Sequence, residues 1–93
     1  MSNYNGWKNY ATWRVNLEIF DGHDLASFTD EKHTFEISQD LRRYVQDYFE
    51  QSSLDAMNAG FDTTLMCDYA LQFIDDVDWW EIARHFQAEE EAA

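Results

Sequence analysis

No proline interrupts this chain of 93 residues, and only three glycines do: Gly6, Gly22 and Gly60. Small β-sandwiches and barrels are punctuated by turns rich in those two residues, so their scarcity favours helices joined by short loops. A chain of this length forms one domain around a single core, and an aromatic content of 17% lets a few large side chains carry the burial. The expectation is an all-α domain spanning residues 1–93, with 1–8 and 89–93 as flexible ends.

Apolar spacing places about four helices, at 9–21, 36–51, 62–75 and 79–88, with a short helix at 53–59. In the first segment two periods compete. Tyr10, Trp13, Leu17 and Phe20 recur as on a helix face, while Val15, Leu17 and Ile19 alternate with polar residues as on a strand. The helix is preferred, because Asn9 can cap it and Asp21-Gly22 can stop it, and Tyr10, Trp13, Leu17 and Phe20 then form its buried face. Residues 22–34 show no sustained period and read as a loop with at most a short helical turn. Ile37, Leu41, Tyr44, Val45, Tyr48 and Phe49 form the clearest amphipathic helix. Ser52 or Ser53 is read as the cap of a short helix ending at Gly60, where a left-handed residue is easiest for glycine. Asp62 or Thr63 caps a helix through Leu65, Met66, Tyr69, Ala70, Phe73 and Ile74. Asp78, with Glu81 three residues on and Val77 and Ile82 flanking, marks the start of the last helix. Glu89, Glu90 and Glu91 oppose the helix dipole at its end, so that end should fray.

Nineteen Asp and Glu against six Lys and Arg give a net charge of −13, spread along the chain. Such a charge repels nucleic acid and anionic membranes and attracts basic protein surfaces, most of which hold DNA or RNA. No signal-peptide pattern opens the sequence and no apolar run approaches the roughly 18 residues that span a bilayer. A soluble, cytoplasmic protein is expected. Cys67 is the only cysteine, which rules out an internal disulfide and a cysteine-based zinc knuckle.

Two motifs carry a resemblance. Gly6-Trp7-x-Asn9-Tyr10-x-Thr12-Trp13-x-Val15-x-Leu17 near the start and Val77-Asp78-Trp79-x-Glu81-Ile82-Ala83 near the end resemble an uncharacterised family of small phage and plasmid proteins. That family has no assigned reaction, so no catalytic residue carries over. The resemblance implies a setting, a mobile genetic element expressed inside a bacterial host cell. In size and charge the chain also resembles acidic anti-restriction and anti-CRISPR inhibitors, which present carboxylates where DNA presents phosphates.

Candidate partner-binding carboxylates are Glu36, Asp40, Asp47, Glu50, Asp55, Asp62, Asp68, Asp75 and Asp76. Helix neighbours three or four residues apart stand about 5 to 6 Å from one another, so two or three helices together can imitate a phosphate track. The plain alternative is a solvated polar face, although a domain of this size needs a net charge of only about 2 to 8 for solubility. The aromatics read first as core, with Trp7, Trp79 and Trp80 as possible contacts. Because neighbours on a helix diverge by about 100°, only one of Trp79 and Trp80 can face the core's centre. Asp21-Gly22-His23-Asp24 lacks a second ligand cluster, and His33 and His85 stand alone, so no metal or cofactor is expected. Cys67 reads as a buried small hydrophobe rather than a reactive thiol. Catalysis would need a pocket joining a histidine to a carboxylate, and no nucleophile or phosphate-loop motif supports one. The expected function is non-enzymatic: a counter-defence inhibitor that occupies the nucleic-acid groove of a basic host protein, such as a CRISPR effector subunit or restriction enzyme. The competing expectation is an adaptor or regulator that uses exposed aromatics.

Overall fold

A computed structural model describes residues 6–60, 62 and 64–92. Four α-helices follow one another: α1 (Tyr10–Val15), α2 (Thr34–Asn58), α3 (Thr64–Asp76) and α4 (Trp79–Ala92), with no strand among the described residues. The fold is all-α, as expected from the scarcity of proline and glycine. α2 packs chiefly on α4, and α3 folds back along α2. Ile37, Leu41 and Val45 of α2 meet Ile74, Val77, Trp79, Ile82, Ala83 and Phe86 in the core, closed at one side by Val15, Phe20 and Leu25.

The first helix departs from its expected face for a definite reason. Beyond Val15 the backbone widens into a π-helical turn, Asn16–Phe20, closed by Asp21 N–H donating to the Asn16 carbonyl at 2.8 Å. A π turn adds a residue, so Val15 and Phe20, five apart, stay on one side. The buried set is Ala11, Thr12, Val15 and Phe20, whereas Tyr10 and Leu17 are exposed and Trp13 is half-buried. Gly22 follows at φ 82°, a left-handed turn that ends the segment. The loop after it carries a 3₁₀ turn, Leu25–Ser27, and Phe28, whose ring stands edge-on to Phe20 at 4.9 Å and Tyr44 at 4.8 Å.

The expected pair of helices at 36–51 and 53–59 is one helix of 25 residues. Ser52 does not cap: its hydroxyl donates back to the Tyr48 carbonyl, four residues earlier, at 3.0 Å, a bond that lets serine sit inside a helix. Gly60, at φ 95°, does end it, as expected. Of the two caps expected for α3, Thr63 lies outside the described residues. α4 runs past the expected stop at 88 to Ala92. His85 Nε2 lies 3.0 Å from Glu89 Oε1 one turn on, and Gln87 donates to the Lys32 carbonyl and accepts from Thr34. These contacts hold the last turns against the unfavourable dipole.

Val45 is the last fully buried residue of α2, and thirteen residues remain to Asn58, about 20 Å of helix. The far part of the α2–α3 hairpin therefore projects from the core. The radius of gyration, 14.4 Å, exceeds the roughly 12 Å of a compact domain this long.

Candidate functional site

The two sequence motifs meet in space. Asn9 caps α1, its Oδ1 accepting from the Thr12 backbone N–H at 2.9 Å and from the Thr12 hydroxyl at 2.7 Å. Its amide nitrogen donates to the Asp76 carbonyl at 2.8 Å. The Thr12 oxygen, fully buried, accepts the Asp78 backbone N–H at 2.8 Å across 66 residues of sequence. Asp78 then caps α4, its Oδ1 accepting from Glu81 N–H at 3.0 Å. In an ordinary capping box the acid at the third helical position would bond back to the capping residue's own N–H. Here that N–H belongs to Thr12, and the Glu81 carboxylate instead accepts from Lys8 N–H at 3.0 Å. Lys8 Nζ stands 3.6 Å from Asp78 and Trp7 packs on His85 at 4.9 Å between ring centres. The arrangement is a capping box shared between two chain segments, and every residue of it serves the fold.

The tryptophans divide as helix geometry demands. Trp79 is 7% exposed and its indole N–H donates to the Ile74 carbonyl at 3.1 Å, which removes it as a surface contact. Trp80, 48% exposed, remains. Trp7 is half-buried against α4.

The nine carboxylates also separate. Glu36 and Asp40 are half-buried; Glu36 has one carboxylate oxygen covered and without a hydrogen-bond partner, and Asp40 accepts from the Thr29 hydroxyl at 2.6 Å and lies 4.0 Å from Arg43. Asp75 is held by Arg42. Asp76 is exposed at the end of α3, its carbonyl engaged by Asn9. Asp47, Glu50, Asp55 and Asp68 are exposed along the hairpin, and among the described residues no basic side chain reaches them. Asp62 is exposed in the turn. Between Arg43 and Arg84 the chain holds nine Asp and Glu and neither Lys, Arg nor His. The outer part of the hairpin, residues 44–74, is thus acidic and holds no cationic residue of its own.

It is also apolar outside. Leu65, Met66 and Tyr69, three of the apolar residues whose spacing marks α3, are between 65% and 68% exposed, and Leu54, Met57 and Leu71 are exposed as well. The remaining apolar residues of α3, Cys67, Ala70, Phe73 and Ile74, supply its inner face. The sequence signal for this was available: a helix apolar on nearly every side, in so small a domain, has more hydrophobic surface than the core can take. A groove of about 350 Å³ runs between α2 and α3, lined mainly by Phe49, Leu54, Ala70, Leu71 and Ile74. Cys67 is half-buried in its wall, its sulfur 2.8 Å from the Ser53 hydroxyl.

His85 and Glu89 are an exposed pair on one helix face, and a shallow hollow of about 320 Å³ beside Trp7, Glu81 and Arg84 includes the histidine. His23 and His33 are exposed. No group of three or more His, Cys, Asp or Glu among the described residues could hold a metal ion. No helix among them is long and apolar enough to cross a membrane.

The chain belongs to a family of unknown function (DUF7249), whose profile matches residues 1–90. No curated protein and no solved structure matches it.

Proposed function

Membership of a family without an assigned activity leaves the surface as the guide, and we propose that this protein acts by binding. In this reading it is a counter-defence inhibitor of a phage or plasmid, working inside the bacterial host cell. Its target is a basic nucleic-acid-binding surface, that of a CRISPR effector subunit or a restriction enzyme. The observation that carries the reading is the run of residues 44–74, which holds five carboxylates and no cation. Carboxylates on one helix are about 5 to 6 Å apart, too sparse alone for phosphates spaced by about 3.4 Å along a strand. Asp47, Glu50 and Asp55 come from α2 and Asp68 from its neighbour α3, so two neighbouring helices carry these exposed carboxylates. A basic groove would bind them in place of a duplex, and the affinity would fall with salt as the screening length shortens to about 3 Å at 1 M.

Capture from a bacterial lysate on the immobilised protein tests this. Nucleic-acid-binding proteins should be retained at low salt and released both by 1 M salt and by added duplex DNA. A captured target that holds DNA and this protein together, or that stays bound equally at 1 M salt, removes mimicry. One observation favours a second reading, an adaptor without mimicry: the exposed Leu65, Met66 and Tyr69 are more apolar than a phosphate imitation needs. An adaptor would lose its partner on Tyr69→Ser and keep it on Asp47→Asn.

A further inference from the structure

The groove between α2 and α3 combines three features. Its floor and walls are apolar, with small Ala70 leaving the depth. On α2 its lining residues run from Gln46 to Leu54, a length of about 12 Å. That matches the distance of about 10.5 Å between the first and last anchors of an amphipathic helix that inserts side chains at i, i+3 or i+4, and i+7. Its rims are acidic. Glu50 lines it directly, and Asp68 lies three residues before Leu71, on the same flank of α3. Met57, three residues after Leu54, extends the α2 rim with a side chain that adapts to varied apolar surfaces. Arg42, the cation at the base of the hairpin, is already engaged by Asp75.

The protein exposes 6637 Å², where a compact monomer of its mass exposes about 5,700 Å². That surplus belongs to the whole surface of an elongated molecule, 47 × 34 × 21 Å in extent. A second copy is a poor occupant, because a twofold contact here would set Glu50 and Asp68 of one chain against acidic residues of the other. Nucleic acid is repelled for the same reason. An apolar helix with lysine or arginine on its flanks satisfies both the walls and the rims.

We infer that this groove seats one basic amphipathic helix of about two to three turns, its apolar side chains entering between Leu54 and Leu71 and its cations meeting Glu50 and Asp68. The inference rests on the reading that the partner is a basic protein, and it names the element of that partner which is recognised. The two fail separately. Peptide binding without DNA competition in the lysate removes mimicry and leaves the groove, and the reverse removes the groove and leaves mimicry.

The probe is a fluorescent, amidated 14-residue peptide of leucine and lysine with leucines at i, i+3, i+4 and i+7 spacing, titrated with the full chain. Saturable 1:1 binding is expected, weakened by more than about tenfold in Leu71→Asp, which would set an unpaired carboxylate against the leucines. The double variant Glu50→Gln, Asp68→Asn should bind several-fold more weakly and respond less to salt. With isotopically labelled unmodified protein, amide shifts should move around Ser53, Leu54, Ala70 and Leu71 and stay fixed at Trp80, a readout that needs no variant to fold. Equal binding of a permuted peptide of the same composition, or shift changes spread over the surface, would overturn the inference. So would a dimer in sedimentation that Leu71→Asp converts to monomer, since the second copy would then be the occupant.

Discussion

Two regions of this protein are made from the same kinds of residue and put them to opposite uses. Where the chain ends meet, at α1 and the start of α4, acids and aromatics are tied down: Asp78 and Glu81 accept backbone N–H groups, and Trp79 donates from the core. In the outer half of the α2–α3 hairpin, Asp47, Glu50 and Asp68 have no cation within reach among the described residues, and Leu65, Met66 and Tyr69 face solvent. The first region commits these groups to the fold. The second leaves both its charge and its apolar area outside the core. The same distinction separates the effects expected of substitutions.

The largest contrast lies between two adjacent residues. Trp79→Ala should lower stability by about 3 to 5 kcal/mol, because a buried indole leaves a cavity and the Ile74 carbonyl keeps only the Val77 N–H of its two donors. Trp80→Ala, on the solvent side, should change stability by about 1 kcal/mol or less. Urea unfolding followed by circular dichroism measures both. Equal losses would mean that Trp80 is part of the core.

Next comes the shared capping box. Thr12→Val keeps the shape but removes the oxygen that accepts Asp78 N–H and the proton given to Asn9. Leaving that buried N–H unpaired should cost about 1 to 3 kcal/mol, which in a domain of this size lowers Tm by roughly 4 to 8 °C per kcal/mol. Thr12→Ser retains the oxygen and should lose less than valine does. If serine and valine are equally destabilising, the methyl group rather than the hydrogen-bond bridge holds the two ends together.

Asp78→Ala should cost about 1 kcal/mol, the usual value of an N-cap, and somewhat more if Lys8 contributes. Asn9→Ala should cost at least as much, since it also gives up the bond to the Asp76 carbonyl. Thermal melts of the two single variants and the double variant would show whether the caps are coupled through Thr12. Strict additivity would argue that they act independently despite the short distances.

How much of this was legible before the structure depends on whether the signal is local. Asn9, Gly60 and Asp78 were read correctly as helix ends because a cap is set by residues three or four positions away. The buried face of α1 was not, since nothing in a helical period announces the π turn at Asn16–Phe20 that returns Phe20 to the core and turns Leu17 outward. Ser52 misled for a related reason: the same hydroxyl that caps a helix also bonds within one. Thr12 and Asp78 lie 66 residues apart, so their bond has no local signature. The carboxylates were named as a set, but which of them would be paired depended on where Arg42 and Arg43 fell relative to Asp75 and Asp40.

The smallest expected effect is the one that bears most on function. Leu65→Ser, Met66→Ser and Tyr69→Ser remove large apolar groups, and in a core each would cost several kcal/mol. At their observed exposure each should change stability by no more than about 0.5 kcal/mol. Amide exchange in the same protein should be faster at residues 54–58 than at Leu41 and Val45, because the outer turns of α2 have few buried neighbours to oppose local opening. Replacing all three side chains together sharpens the comparison further: the cost should stay near 1 kcal/mol. A triple variant that unfolds would show that the hairpin's outer face is packed in solution, and that the charge and apolar area found there belong to the fold after all.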